Sequence, residues 1–142
     1  PDAVIDILVA GARRAVVSTG RLEGPRALAR AFRLTPELAV EIEVGPDGTV
    51  LGDPAWGVRP QAAAEAARSC GITELILSPR PGPVDWSLAR SISEGGSLWI
   101  DGSFVAAEAP RLSDCGASGG FFHVADEIVP FSERERPGSS AR

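Results

Sequence analysis

Short apolar runs alternate with amphipathic segments along the chain, and this alternation predicts an α/β protein with a parallel sheet. Five runs rich in Val, Ile, Leu or aromatic residues predict strands: RRAVVST, LAVEIEV, TELILS, GSLWIDG and GGFFHV. Strands that are apolar on both faces and separated by helical segments are typical of parallel sheets covered by helices.

The segments between these runs predict helices. AVIDILVAGA predicts a short helix that ends near Gly11, and GPRALARAF and RPQAAAEAARSCG predict helices with Pro25 and Pro60 in the first turn. VDWSLARSI predicts a helix that Asp85 caps. SFVAAEAPRL predicts a broken helix stopped by Pro110, and ADEIV predicts a last helical turn.

The spacing of the segments fits two arrangements, an α/β barrel and a doubly wound sheet, and ligands meet the carboxyl ends of the strands in both. Residues 1–131 are expected to form one domain, and the polar residues 132–142 a disordered tail. The candidate binding residues at the strand ends are Ser18, Thr19, Glu43, Ser78, Asp101, Gly102, Ser103 and His123. His123 alternatively serves as a structural histidine at the rim.

The stretch LAVEIEVGPDG carries two acids in an otherwise apolar strand. Glu41 and Glu43 are two residues apart, so both point to the same face. Two acids on one face indicate either a solvated edge or part of a site. If Glu41 lies deep in a barrel, it needs a polar partner there.

Composition limits the function classes. The formal net charge of −5 argues against nucleic acid or an anionic membrane as a partner. No apolar run is long enough to span a membrane, and no leader-like segment opens the sequence, so a cytoplasmic protein is expected. Cys70 and Cys115 are interpreted as structural thiols. The chain has a single histidine, which argues against a zinc site.

The segments, taken in order, resemble a known family. LVAGARRAVVSTGRLEGPRAL, LAVEIEVGPDGTV, AAAEAARSCGITELILS, DWSLARSI, SLWIDGSF and GASGGFFHVADEI are similar to successive stretches of the histidine-biosynthesis sugar isomerases, phosphoribosylformimino-aminoimidazole carboxamide ribotide isomerase and its barrel relatives. The resemblance covers nearly the whole chain except the tail. It implies the part of an eight-stranded (βα) barrel that runs from strand four to strand eight.

The resemblance implies acid–base catalysis of an aldose–ketose (Amadori-type) isomerisation without a cofactor or metal. The family uses one carboxylate at the end of strand one and a second at the end of strand five, and Glu43 corresponds to the second. Glutamate is about one methylene longer than the family's aspartate, which changes its reach. Ser18, Thr19, Ser78, Gly102, Ser103 and His123 would contact a phosphorylated substrate.

The sequence also departs from the family. SPRPGPVD replaces the Asp-Gly element after strand six, and Asp101, Asp126 and Glu127 place negative charge where phosphate would bind. Arg80 could supply a phosphate contact, although a solvated loop arginine is the favoured interpretation. Strands one to three have no counterpart in the resemblance. We therefore expect the barrel to be completed by an N-terminal half-barrel, upstream or on another chain, or by self-association.

Three functions remain open at this point. The first is a divergent isomerase acting on a sugar phosphate, or a paralogue linked to methanopterin-type one-carbon metabolism. The second is a non-catalytic half-barrel with a structural or regulatory role. The third is a small-molecule binding module that keeps a pocket but no chemistry.

Overall fold

The structural centre of the protein is a sheet of parallel strands. The structure is a computed structural model, and it describes residues 2–102 and 106–121. In that part the strands are β1 (Ala15–Ser18), β2 (Leu38–Val44), β3 (Glu74–Pro79), β4 (Ser97–Asp101) and β5 (Gly119–Phe121). Each strand pairs in parallel with the next, in the order of the chain. The predicted parallel α/β class is confirmed.

Helices precede and connect the strands, because a parallel pair needs a crossover that returns the chain to the same end of the sheet. They are α1 (Asp2–Val9), α2 (Gly24–Leu34), α3 (Pro60–Ser69), α4 (Trp86–Ser93) and α5 (Pro110–Asp114). Proline stands in the first turn of α2, α3 and α5, where its missing N–H is not needed. The helix starts predicted from Pro25 and Pro60 are confirmed.

Asp85 caps α4 as the sequence predicts. Its carboxylate accepts hydrogen bonds from the Ser87 hydroxyl at 2.6 Å and from the backbone N–H groups of Ser87 and Leu88 at 2.9 and 3.1 Å. The Ser87 hydroxyl, helped by these backbone donors, holds the pKa of Asp85 below its usual value.

The prediction that Pro110 stops a helix was wrong. A 3₁₀ turn at Ala106–Glu108 comes before it, and Pro110 is instead the first residue of α5. A proline fits the start of a helix as well as it ends one, and the sequence pattern did not distinguish the two positions. The predicted turn in ADEIV and the tail at 132–142 lie outside the described residues.

One face of the sheet packs against the helices. The strand register aligns Val40 with Leu75 and Leu98, and Ile42 with Leu77 and Ile100. These side chains are buried together with residues from the helices, among them Leu28, Ala63, Ala67, Ala89 and Ile92. Complete burial of a Leu or Ile side chain contributes about 1.5–3 kcal/mol, so these rows supply much of the hydrophobic stabilisation.

The alternate residues of the strands form the other face, which we call the second face. Its members are Val16, Ser18, Ala39, Glu41, Glu43, Ile76, Ser78, Trp99, Asp101 and Phe121. None of them belongs to the buried cluster in which the strands meet the helices. Val16 and Phe121 are exposed, and the Trp99 and Phe121 rings lie 5.7 Å apart. The second face is therefore apolar in its middle and polar at the carboxyl ends of the strands.

The strand order distinguishes the two arrangements that the sequence left open. A doubly wound sheet reverses its strand order at a switch point and carries helices on both faces. The order β1 to β5 has no reversal in the described part of the chain, and the residues of α2, α3 and α4 in the core pack on one face. This layout is compatible with a partial (βα) barrel.

Candidate functional site

The carboxyl ends of β1 to β4 bring most of the predicted site residues to one edge of the sheet. The register places Ser18 beside Glu41, and Glu43 beside Ser78. Asp101 ends β4 on the same face. The parallel strands thus gather hydroxyl and carboxylate groups that lie far apart in the sequence.

Arg80 joins three of these carboxylates. Its Nη2 atom lies 2.6 Å from Oε1 of Glu41 and 3.6 Å from Oδ2 of Asp101, and its Nε atom lies 3.8 Å from Oε1 of Glu43. We call Glu41, Glu43, Arg80 and Asp101 the Arg80 cluster. The two acids of strand β2 are therefore part of an ion-pair network, and Arg80 is the polar partner that Glu41 requires.

Carboxylates outnumber the cation in the Arg80 cluster. Among residues 2–102 and 106–121, three carboxylates face this one guanidinium. The hydrogen bond to Glu41 is the main cause that raises the pKa of Arg80, and the charges of Glu41, Asp101 and Glu43 act in the same direction. The carboxylate side chains are only 16–23% exposed, so water screens the charges of the cluster incompletely.

The backbone around Arg80 is stiff. Pro79 and Pro81 flank it, and each proline ring holds its own φ near one value. The Arg80 N–H donates to the carbonyl oxygen of Val44 at 2.7 Å, which ties this residue to the end of β2. The loop thereby holds the guanidinium over the second face, although the side chain is half exposed.

Thr19 and Gly20 position Glu43. The Thr19 hydroxyl is fully buried and accepts a hydrogen bond from the Glu43 N–H at 3.1 Å, while the Thr19 N–H donates to the Glu41 carbonyl at 2.9 Å. The Glu43 carboxylate lies so close to Gly20 that a methyl group at Gly20 would overlap it. Thr19 therefore extends the β1–β2 pairing, and Gly20 leaves room for the acid.

Ser78 borders a cavity of about 320 Å³ at this edge. The cavity is lined by Ser78, Pro79, Arg80, Pro81, Gly82, Asp101 and Gly102. Ser78 is 1% exposed. A buried serine, an acid and a base thus line one small cavity.

Gly102 is brought to the same edge but is packed against its neighbours. A methyl group there would lie 2.9 Å from Cγ2 of Val84 and 3.5 Å from Cγ of Pro79. Its predicted role as a phosphate contact, like that of Ser18 and Thr19, stays a prediction. Ser103 and His123 lie outside the described residues.

A larger cleft, of about 670 Å³, lies on the other side of the sheet between the first turns of α3 and α4. Prolines and glycines make up much of its wall. Its carboxylate, Asp85, is engaged in capping α4, and the Gln61 amide donates to the Ser91 hydroxyl at 3.4 Å. The cavity beside Ser78 is the better candidate site, because its wall combines two charged side chains, Arg80 and Asp101, with a serine.

Sequence reasoning missed the part that Arg80 plays, since it favoured a solvated loop arginine. A signal was present: Glu43 and Ser78 are level in adjacent strands, and Arg80 is two residues beyond Ser78, which returns it to the same face. Predicting the contacts of Arg80 with the acids of β2 required the register of β2 against β3, which a single sequence does not contain.

Comparison with known proteins assigns no family to the chain. No protein-family model matches it, and no curated protein matches it. Within the described ranges, no group of three or more His, Cys, Asp or Glu side chains is arranged to hold a metal ion. The helices of the same ranges are each too short or too polar to cross a membrane.

Proposed function

We propose that this chain is a divergent member of the phosphoribosylformimino-aminoimidazole carboxamide ribotide isomerase family that isomerises a sugar-derived substrate by acid–base catalysis. The observation that carries the proposal is the position of Glu43. It stands one residue before the end of β2, on the second face and beside Ser78, and the resemblance aligns it with the family's strand-five carboxylate. The one-directional strand order supports the barrel architecture that this family implies.

Glu43 suits proton transfer better than Glu41 does. Glu41 lies 2.6 Å from Arg80 and is engaged in a charge-assisted hydrogen bond, whereas the Glu43 oxygen is 3.8 Å from the guanidinium, beyond hydrogen-bonding range. A general acid or base needs a carboxylate that can come within hydrogen-bond reach of the substrate. Thr19 and Gly20 hold Glu43 in place without occupying its carboxylate in a hydrogen bond.

The proposed reaction moves protons and calls for neither a metal nor an organic cofactor. It does call for a second acid, which the family carries on strand one. We propose that an N-terminal half-barrel segment, or a second copy of the chain, supplies it. The exposed Val16 and Phe121, at the two ends of the second face, support a partner that covers this face.

The test is the substitution Glu43→Gln, assayed with an aminosugar phosphate in D₂O. Mass spectrometry detects deuterium gained at the carbon that loses its proton. We expect exchange with the parent chain and its loss in Glu43→Gln. Glu65→Gln, on the exposed outer side of α3, removes the same charge and should leave exchange unchanged. Equal exchange in the parent and Glu43→Gln would remove Glu43 from the mechanism.

A second candidate function is a non-catalytic half-barrel subunit, in which the Arg80 cluster serves only stability. The three carboxylates of the cluster favour it, because they disfavour the phosphate groups of the family's substrate at this edge of the sheet. This candidate predicts a native mass above that of one chain and no deuterium exchange with any sugar phosphate.

A further inference from the structure

The outer side of α2 carries a row of arginines. The helix buries Leu28 and Ala31 against the sheet. Arg26, Arg30 and Arg33 are exposed, and their spacing of i, i+4 and i+7 places them in one line on the opposite side of the helix. We call these three residues the arginine stripe. We propose that the arginine stripe is a docking surface for an acidic helix of a partner protein.

The arginine stripe concentrates positive charge in an acidic chain. Residues 21–33 contain four arginines and one glutamate, so their formal charge is +3, whereas the net formal charge of the whole chain is −5. Arg14 and Arg80 form ion pairs with acids of the sheet. Within residues 2–102 and 106–121, no ion pair involves an arginine of the stripe. The charge of this surface is therefore available to a partner.

The arginine stripe works against the stability of α2 itself. Arg30 lies four residues after Arg26 and three before Arg33, so like charges are neighbours on the helix surface. Arg26 is in the first turn, where the helix dipole disfavours a cation. That turn contains no acid, and the side chain of the N-cap residue Glu23 makes no capping hydrogen bond. Residues that oppose the local structure in this way are expected where function requires them.

The surroundings of the stripe favour a protein over nucleic acid or membrane. The stripe extends about 10 Å along the helix axis, whereas DNA or anionic lipid would also approach the surface around it, on a chain of net charge −5. A guanidinium can bind a carboxylate through two parallel hydrogen bonds. Leu34, which is 56% exposed and four residues after Arg30, adds an apolar contact beside the stripe. A helix with acids at i, i+4 and i+7 and an apolar residue beside them matches this surface.

Fluorescence anisotropy of a labelled, alanine-rich peptide tests the inference with the 142-residue chain. The striped peptide has about 20 residues, enough to form a helix, with glutamates at i, i+4 and i+7 and a leucine at i+8. The scattered peptide has the same composition, with its glutamates distributed around the helix. At about 10 mM salt we expect the striped peptide to bind about tenfold more tightly than the scattered one, and about 0.15 M salt should weaken its binding.

Variants of the chain locate the binding surface. Arg30→Gln should weaken binding of the striped peptide about threefold to fivefold, and glutamine at all three positions of the stripe should abolish it. Arg59→Gln, which removes an exposed charge just before α3, is the matched control and should leave binding unchanged. Leu34→Ala should weaken binding at both salt concentrations.

Charge exchange tests the pairing directly. Glutamate at all three positions of the stripe should abolish binding of the striped peptide and create binding of a peptide with lysines in place of its glutamates. Circular dichroism verifies that each variant is folded. The thermal midpoint of the free chain should not fall in Arg30→Gln, because this change removes repulsion between like charges.

The outcomes decide the inference without bearing on the proposed function, since the stripe lies on the helical side of the sheet and the Arg80 cluster on the second face. Binding that prefers the striped peptide and follows the charge exchange supports the inference. Equal binding of the two glutamate peptides, or undiminished binding by the triple glutamine variant, overturns it. Tighter binding of phosphatidylserine vesicles or duplex DNA than of the striped peptide also overturns it, as does the absence of binding at millimolar peptide.

Discussion

The Nη2 atom of Arg80 lies 2.6 Å from Oε1 of Glu41, although 39 positions separate the two residues in the chain. Glu41 belongs to β2, and Arg80 directly follows β3. The ion pair therefore forms only when these strands pair in the observed register. It links the stability of the sheet edge to the charge of the cavity beside it.

Replacing Arg80 with glutamine is expected to destabilise the fold. The change leaves three half-buried carboxylates of the second face without their shared cation. Because Arg80 is half exposed, we expect a loss of about 1 kcal/mol at low salt and less at high salt. Urea unfolding at two salt concentrations measures it. A second substitution, Glu41→Gln, should recover part of the loss, and an unchanged midpoint in Arg80→Gln would show that the cluster adds no stability.

Adding a methyl group at Gly20 is expected to displace the Glu43 carboxylate. Gly20→Ala places Cβ where that carboxylate now lies, so either the acid or the loop must shift. Because the overlap falls on the end of a flexible side chain that can turn away, we expect a cost below the about 1–3 kcal/mol typical of an overpacked core. A double-mutant cycle by denaturant unfolding identifies the cause: in a Glu43→Ala background, Gly20→Ala should cost little. An equal cost in both backgrounds would show that another contact is responsible.

Trp56 is expected to be a major support of the loop between β2 and α3. The ring is 1% exposed, and its Nε1–H donates to the carbonyl oxygen of Leu22 at 3.2 Å, which fastens this loop to the one that follows β1. Trp56→Phe should cost about 1–2 kcal/mol, and Trp56→Ala about 3–5 kcal/mol. Thermal unfolding followed by circular dichroism measures both, and equal midpoints for the two variants would contradict the proposed contribution of the ring.

The Asp85 cap predicts how stability depends on pH. The folded-state pKa of Asp85 is lowered, so its contribution is complete above the unfolded pKa of about 3.9 and is lost as pH falls through the folded value. Asp85→Asn keeps a capping oxygen but does not titrate. We expect the parent to be more stable at pH 7, and the difference to shrink below about pH 4. If the stability difference between the parent and Asp85→Asn stays constant down to about pH 2, the lowered pKa does not belong to Asp85.

Much of the fold is predictable from local sequence. The strands that contain Val40 and Leu75 follow from continuous apolar runs, and the starts of α2 and α3 follow from prolines in the first turn. These signals succeed because burial and backbone restriction act within a few residues. Pro110 was misjudged because the same ring restricts φ at the start of a helix and beyond its end.

The site was less predictable than the fold. The sequence by itself determined that Glu41 and Glu43 share a face, because side chains alternate along a strand with a period of two. Only the tertiary structure decided that Arg80 joins them with Asp101, and that Ser78 lines one cavity with Arg80 and Asp101. The physical reason is that charge pairing and cavity formation depend on the register between strands, which arises from contacts distant in the sequence.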